Sequence, residues 1–405
     1  MFHFVFSLRI SNFVFHATGS AKVAYMYLCK ELFDDNFMKE YTDRTLFINS
    51  NDRLFMKVRP FEGKYSVKCS DFYEQVGRRQ SEVLPDSWLY RPLNSEIEIT
   101  NRCNQSCAHC GMAANHTIYQ AYTADELVHF AEELYLNGIP SYSITGGEPF
   151  LALDNMLSLI RSARGKVDVC KITSNGYWGE KAEKVFDMLE EAGLFDNRFF
   201  VPCLMISIGE QSTPMKTTCK IFHHALQRYD RTQLTLCISS LSEFGSPSKV
   251  DEFISTYNEH FGEIPAGRIF LTENYYRNSS CIRDNANAVP FRKVEDYMSG
   301  PVRCFEQTIG KYVLPRLLVK ATGEICTCAC FNAPKELKIG DYRQESIRDI
   351  LQKINSNPIV NIIADKGLHG FKSLLSPSDY IDVPCSNECE ACTHLIHSYT
   401  KRYGE

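Results

Sequence analysis

The chain has no apolar run of the roughly 20 residues that a helix needs to cross a bilayer, so a membrane-spanning protein is not expected. It also lacks a basic excess. Lys and Arg number 44 against 49 Asp and Glu, giving a net charge of −5 and a pI near 6.2. A nucleic-acid binder would normally be basic, so that class is set aside. The first ten residues are apolar but alternating, with no basic stretch ahead of them and Arg9 interrupting them, so they read as a β-strand rather than a secretion signal. What remains is a globular composition, 44% hydrophobic and 23% charged, long enough for two or three domains with a real core. Cysteine is what the chain has in quantity. Seventeen in 405 residues, with no secretion signal, predict a reducing compartment and a cytoplasmic protein.

Three of those cysteines, Cys103, Cys107 and Cys110, form a C-x3-C-x2-C loop directly after residues 96–100, where Ile97 and Ile99 alternate with polar residues as on a strand. Clustered thiols in an intracellular chain point to metal rather than disulfide, and thiolates are the usual ligands of iron–sulfur clusters. Three fall one short of a four-iron cluster, so one iron keeps a position open for a ligand that is not protein. A second strand-like run, 141–145, ends in Gly146-Gly147-Glu148-Pro149, and a third, 167–174, ends in Ser174-Asn175-Gly176.

In combination these stretches resemble the radical S-adenosylmethionine (radical SAM) superfamily over roughly residues 93–275. The resemblance implies that Cys103, Cys107 and Cys110 ligate a [4Fe-4S] cluster. It implies that the amino and carboxylate groups of S-adenosylmethionine chelate the unfilled iron. Reductive cleavage of that cofactor then gives a 5′-deoxyadenosyl radical that removes a hydrogen atom from the substrate. Gly146 and Gly147 would let backbone approach the methionine ammonium, Glu148 would offer an acceptor, and Pro149 would fix the strand exit. Ser174, Asn175 and Ser207 would contact the carboxylate or ribose. His109 stands where the family usually has an aromatic residue and would pack over the adenine.

The rest of the chain gives an α/β fold: a partial (β/α)6 barrel with a small N-terminal α+β module and a C-terminal cysteine-rich auxiliary-cluster domain. Residues 1–90 read as the module, with strands at 2–8, 13–16, 45–49, 53–58 and 65–69 and a helix at 20–34. It would bind a substrate or partner, or else be a structural extension. Its element order does not match a winged helix. Residues 91–300 alternate strands at 96–100, 141–145, 167–174, 200–208, 233–239 and 268–272 with helices at 124–137, 155–164, 180–192, 217–229 and 249–261. Thr123-Ala124-Asp125-Glu126 is a capping box for the first of these helices. In such a barrel, chemistry belongs at the C-terminal strand ends, where all three motifs fall. Polar residues after strands four and six (Glu210, Gln211, Ser212, Tyr275, Tyr276 and Arg277) are expected to line the substrate space. Cys281 is a candidate acid or thiyl donor, and no catalytic side chain is singled out beyond that. Cys203, Cys219 and Cys237 read as core.

Residues 301–405 carry Cys304, Cys326, Cys328 and Cys330, then Cys385-x3-Cys389-x2-Cys392. Thr322-Gly323-Glu324-Ile325 reads as a hairpin turn, and residues 346–354 as a short helix. The field resembles the SPASM/twitch extension of radical enzymes. This implies one auxiliary [4Fe-4S] cluster, or two, held by Cys385, Cys389 and Cys392 with Cys328 the favoured fourth ligand over Cys326 and Cys330. A closed four-cysteine zinc site uses similar spacings. Three functions then compete. The leading one modifies a peptide or protein side chain, with an electron donor such as flavodoxin or ferredoxin. The second dehydrogenates or rearranges a small molecule such as a sugar or amino-acid derivative. The third is a non-catalytic metal protein that only binds a partner.

Overall fold

The structure is a computed structural model. It describes residues 46–49, 54–57, 69–107, 110, 114, 119–209, 213–242, 247–265, 268–275, 292–299, 308–309, 312–313, 315–327, 334–385 and 388–404. The expected strands at 2–8 and 13–16 and the helix at 20–34 lie outside the described residues. So do His109, Glu210, Gln211, Ser212, Tyr276, Arg277, Cys281, Cys304, Cys328 and Cys330.

The N-terminal hairpin is present as β1 (Leu46–Asn49) and β2 (Leu54–Lys57), paired antiparallel. Residues 65–68 of the strand expected at 65–69 lie outside the described residues, and Cys69 opens the helix α1 (Cys69–Val83). Arg91 fastens the turn after that helix. Its buried guanidinium donates to Trp88 O, Pro85 O and Ser81 Oγ at 3.0–3.2 Å.

The main sheet begins at β3 (Asn94–Glu98) and proceeds through α2 (Ala124–Leu136), β4 (Ser141–Thr145), α3 (Leu153–Ala163), β5 (Asp168–Ser174) and α4 (Ala182–Glu191). The run expected as one strand over 200–208 is broken at Pro202, which has no N–H to give a ladder. The first piece, β6 (Phe200–Val201), pairs with β2. The second, β7 (Cys203–Ile208), joins the main sheet. Next come α5 (Met215–Arg228), β8 (Thr235–Ser242), α6 (Lys249–Phe261) and β9 (Ile269–Tyr275). The six strands lie parallel in the order β3-β4-β5-β7-β8-β9. Because each crossover steps one strand in the same direction and crossovers are right-handed, every helix falls on one face, as in a partial barrel.

The strand pattern bears this out. Ile97, Ile99, Ile144, Ile172, Leu204, Ile206, Leu236 and Ile238 are buried in one apolar cluster with Phe130, Leu157, Phe186 and Phe222 from the helices. The opposite face of the first three strands is polar and also buried. Asn94 donates to Ser141 Oγ at 3.0 Å and accepts from Ser143 at 3.2 Å, and Glu96 pairs with Lys171. The capping box at Thr123 is formed as its residues predict: Thr123 Oγ1 accepts from Glu126 N at 3.2 Å, and Glu126 returns the bond to Thr123 N at 2.7 Å.

Downstream come β10 (Arg292–Lys293), β11 (Thr308–Ile309), β12 (Tyr312–Val313), β13 (Arg316–Val319), β14 (Glu324–Cys326) and β15 (Lys338–Asp341). The hairpin turn at 322–325 joins β13 to β14 as expected, with Gly323 at φ +98°. Its placement was not foreseen. β13 runs parallel beside β3, so the main sheet is nine strands wide, ordered β15-β14-β13-β3-β4-β5-β7-β8-β9. The chain closes with α7 (Ile347–Ser356), α8 (Pro358–Lys366), β16 (Pro384–Cys385) paired with β10, and α9 (Glu388–Tyr403). Of these helices only α7 was expected. Among the described residues no helix is long and apolar enough to cross a membrane.

Candidate active site

The cysteine loop leaves β3 and is held down by backbone from the end of β4. Gly147 N donates to Thr100 O at 2.7 Å and Glu148 N to Arg102 O at 2.8 Å. A Cβ on Gly147 would stand 2.2 Å from Arg102 O, and one on Gly146, at φ +144°, 2.4 Å from Thr100 O. Both glycines are therefore explained by the close approach of the chain's own backbone. The neighbour they accommodate in the structure is the backbone that leads into the cysteine loop.

Glu148 is fully buried and ties β4 to β5. Its Oε1 accepts from Phe150 N at 3.1 Å and Ser174 Oγ at 2.9 Å, and its Oε2 from Asn175 N at 2.7 Å. Burial pushes its pKa up to about 7, against the pull of these donors. Ser174 has its hydrogen-bonding capacity filled inside the protein. Its proton goes to Glu148, and its lone pairs accept from Gly176 N at 3.0 Å and Trp178 Nε1 at 3.1 Å. Ser174 thus forms an internal joint between the ends of β4 and β5. Ser207 differs. It lies half-buried at the C-terminal end of β7, and among the described residues its hydroxyl has no hydrogen-bond partner.

Cys103 is buried, and Cys107 and Cys110 are part-exposed. Burial pushes the Cys103 thiol up and the Cys107 thiol up to about 11, with the nearby Cys110 sulfur raising both further and Cys103 adding to the effect on Cys107. A metal centre displaces those protons on binding. Among the described residues no three His, Cys, Asp or Glu side chains converge on a single ion. A cubane asks for a wider set, since each thiolate takes a different iron. The loop fits that demand: three thiols close together in the chain, Cys110 N bonded to Cys107 O at 3.1 Å, and N–H donors aimed at the Cys103 sulfur. Those donors come from Gln105 N at 3.4 Å and Asn175 Nδ2 at 3.8 Å. Sequence reasoning passed over Asn104, Gln105 and Thr213. Asn104 and Gln105 read as spacers between cysteines, and Thr213 lies after a loop with no motif of its own. Thr213 donates to Asn175 O at 2.8 Å and accepts from Gln105 Nε2 at 3.5 Å.

In the C-terminal segment Cys385 is buried on β16, with burial pushing its thiol up to about 11, while Cys389 and Cys392 stand on the first turns of α9. At a spacing of three, Cys389 and Cys392 share a face of that helix. Cys326 is fully buried on β14 with its sulfur 3.8 Å from Glu324 Oε1. Cys203, Cys219 and Cys237 are buried, as expected of core cysteines.

The loop, the glycine joint and the parallel sheet together define a class. Residues 97–208 match the Radical SAM superfamily, so the chain is an enzyme with a domain of that kind, and the match implies a [4Fe-4S] cluster and S-adenosylmethionine as cofactors. Among proteins it is similar to, YydG of Bacillus subtilis (strain 168), named for peptide biosynthesis, is 25% identical over 321 residues, 75% of this chain and 92% of YydG. The GTP 3′,8-cyclase of Listeria welshimeri serovar 6b is 36% identical over 104 residues, 24% of this chain and 30% of the cyclase. Streptococcus suis SuiB bound to the precursor peptide SuiA is a solved structure 13% identical to the chain, with a TM-score of 0.40, covering 86% of this chain and 84% of SuiB.

Proposed function

We propose that the enzyme abstracts a hydrogen atom from a side chain of a peptide or protein, as a peptide maturase. One observation supports this substrate class above the small-molecule reading. The similarity to YydG continues through three quarters of the chain, far past the residues that match the superfamily, whereas the similarity to the cyclase stops after 104 residues. The cyclase match therefore speaks to the shared core chemistry and not to the substrate.

In this reading the chain divides as 1–90, 91–300 and 301–405: a substrate- or partner-binding module, the radical core and the auxiliary-cluster domain. Cys103, Cys107 and Cys110 each give a thiolate to the cluster and leave one iron for S-adenosylmethionine. When bound, the two groups supply the reductive cleavage of a sulfonium and so the means of hydrogen-atom abstraction. Ser207 offers its hydroxyl to the nucleotide, and His109 packs over its adenine. Glu148 and Ser174 hold the β4 and β5 ends in register beneath it. Cys385, Cys389 and Cys392, with Cys328, hold an auxiliary [4Fe-4S] cluster. Electrons come from a small cytoplasmic carrier of the flavodoxin or ferredoxin kind.

The test is anaerobic incubation of reconstituted enzyme with dithionite, S-adenosylmethionine and short peptides encoded beside it. Wild type releases 5′-deoxyadenosine and changes the mass of one peptide. Cys103→Ala releases none. Cys389→Ala keeps part of the release but forms no modified peptide. Full turnover by both variants would overturn the assignment of roles. Release stimulated only by a sugar or nucleotide would move the substrate to the small-molecule class.

A further inference from the structure

Asn175 sits at the point where β5 meets the cysteine loop, and all of its polar groups are engaged. Its N–H donates to Glu148 Oε2 at 2.7 Å and its C=O accepts from Thr213 Oγ1 at 2.8 Å. In the side chain, Oδ1 accepts from Tyr177 N at 3.2 Å, while Nδ2 donates to Asn104 Oδ1 at 2.7 Å and to Cys103 Sγ at 3.8 Å. These partners fix which end of the amide is which. The flipped arrangement would set Oδ1 against the Asn104 oxygen and the sulfur, and the amino group against the Tyr177 N–H. Only 9% of the residue is exposed. A carboxamide so engaged has little left to offer the cofactor carboxylate or ribose.

We propose that Asn175 is a positioning residue for the cluster, holding the Cys103 sulfur through its amide N–H and raising the potential at which the cluster takes up an electron. An N–H donor on a ligand sulfur favours the more negative, reduced cluster, because the sulfur carries part of the added charge. This donor comes from the sheet rather than from the loop, so it is held in place whatever the loop does. The Gln105 N–H, 3.4 Å from the same sulfur, moves with the loop. The inference rests on the cluster assignment above and gives Asn175 a task distinct from cofactor binding.

The test compares wild type, Asn175→Ala, Asn175→Asp and Asn104→Ala, each reconstituted anaerobically and titrated by EPR without S-adenosylmethionine or substrate. Asn175→Ala removes the donor, and Asn175→Asp puts an acceptor in its place. Asn104→Ala removes the amide's other partner and leaves the N–H on the sulfur. The expected order of midpoint potential is wild type and Asn104→Ala highest, then Asn175→Ala, then Asn175→Asp. The alanine step should equal a roughly three- to tenfold change in the one-electron equilibrium, about 30–59 mV. A second readout is the half-life of the cluster against a ferrous chelator, expected to shorten roughly three- to tenfold in both Asn175 variants and to hold in Asn104→Ala. Wild-type potentials in both Asn175 variants would overturn the proposal, and so would an equal fall in Asn104→Ala, which would make the effect one of loop packing. A wild type that assembles no cubane would overturn the cluster assignment itself, a different failure seen before any variant is compared.

Discussion

Two acidic residues on one strand show how a neighbour decides what burial does. Glu96 and Glu98 are both buried on the polar face of β3. Burial pushes the Glu96 pKa up, but Lys171 at 3.8 Å and Arg316 at 2.9 Å together pull harder and hold it below the usual range. Glu98 has no such pair. Its Oε2 accepts from Ala321 N at 3.2 Å, Lys320 attracts it weakly, and Glu96 and Glu324 repel it, so burial prevails and its pKa rises to about 7. Between about pH 4.5 and 7 the folded chain then keeps a proton that the unfolded chain has released. Stability is greatest below that window and falls as pH rises through it, by about 3 kcal/mol for a shift of this size. Glu98→Gln removes the titration. The difference in urea midpoint between variant and wild type should grow in the variant's favour from pH 5 to pH 8. A difference that stays constant across that range would show that Glu98 ionises normally. Glu148 shifts in the same direction, and the comparison cancels it.

The joint between β4 and the cysteine loop is a property of elements rather than of side chains. Two backbone bonds and two missing Cβ atoms bring the strand end against Thr100 and Arg102. Gly147→Ala would force a carbon to 2.2 Å from a carbonyl that cannot move without carrying the thiols with it. A loss of about 2 kcal/mol is expected, together with a fall in iron bound per chain after reconstitution. A variant with normal melting temperature and full iron content would show that the loop has another way to sit. The sequence made much of this region legible, because the local signals were strong. The period-two runs gave the core strands, Thr123 and Glu126 gave the start of α2, and Gly146-Gly147 marked a close backbone approach. What it hid were partners distant in the chain. No local rule says that the Ser174 hydroxyl is spent on Glu148 and Trp178, or that the Asn175 amide points at a sulfur. Pro202 was a visible break, and the reading across it as one strand lost to the missing N–H. The amphipathic α9 was hidden by the cysteines at its start, which read as a metal loop.

At the scale of the whole molecule the C-terminal segment completes the main sheet. β13 covers the outer edge of β3 with four parallel pairs, Arg316 to Val319 against Asn94 to Ile97. Arg316 reaches Glu96 at 2.9 Å, Tyr122 donates to Lys320 O at 2.7 Å, and Tyr342 packs edge-on against Tyr122 and Phe130. The Tyr90 hydroxyl shares its one proton between Arg316 O at 3.0 Å and Thr327 O at 3.1 Å, and Asn355 brackets the Tyr90 backbone. A chain cut after residue 300 would lose all of these at once. It would bare an edge strand with Ile97 and Ile99 beneath it and leave Glu96 buried with Lys171 alone. Exposed edges pair with other chains, so the truncated protein should be found mainly in the insoluble fraction. Within the full chain, Arg316→Met isolates one part of this effect. Removing one partner of a largely buried charge group should cost about 3 kcal/mol, and Arg316→Met with Glu96→Met should cost more still, because it also leaves the buried Lys171 without its carboxylate. If the truncated chain were instead soluble, monomeric and able to assemble a cluster on Cys103, Cys107 and Cys110, the segment after residue 300 would be an appendage to a self-sufficient core, and the shared sheet would have no part in holding the site.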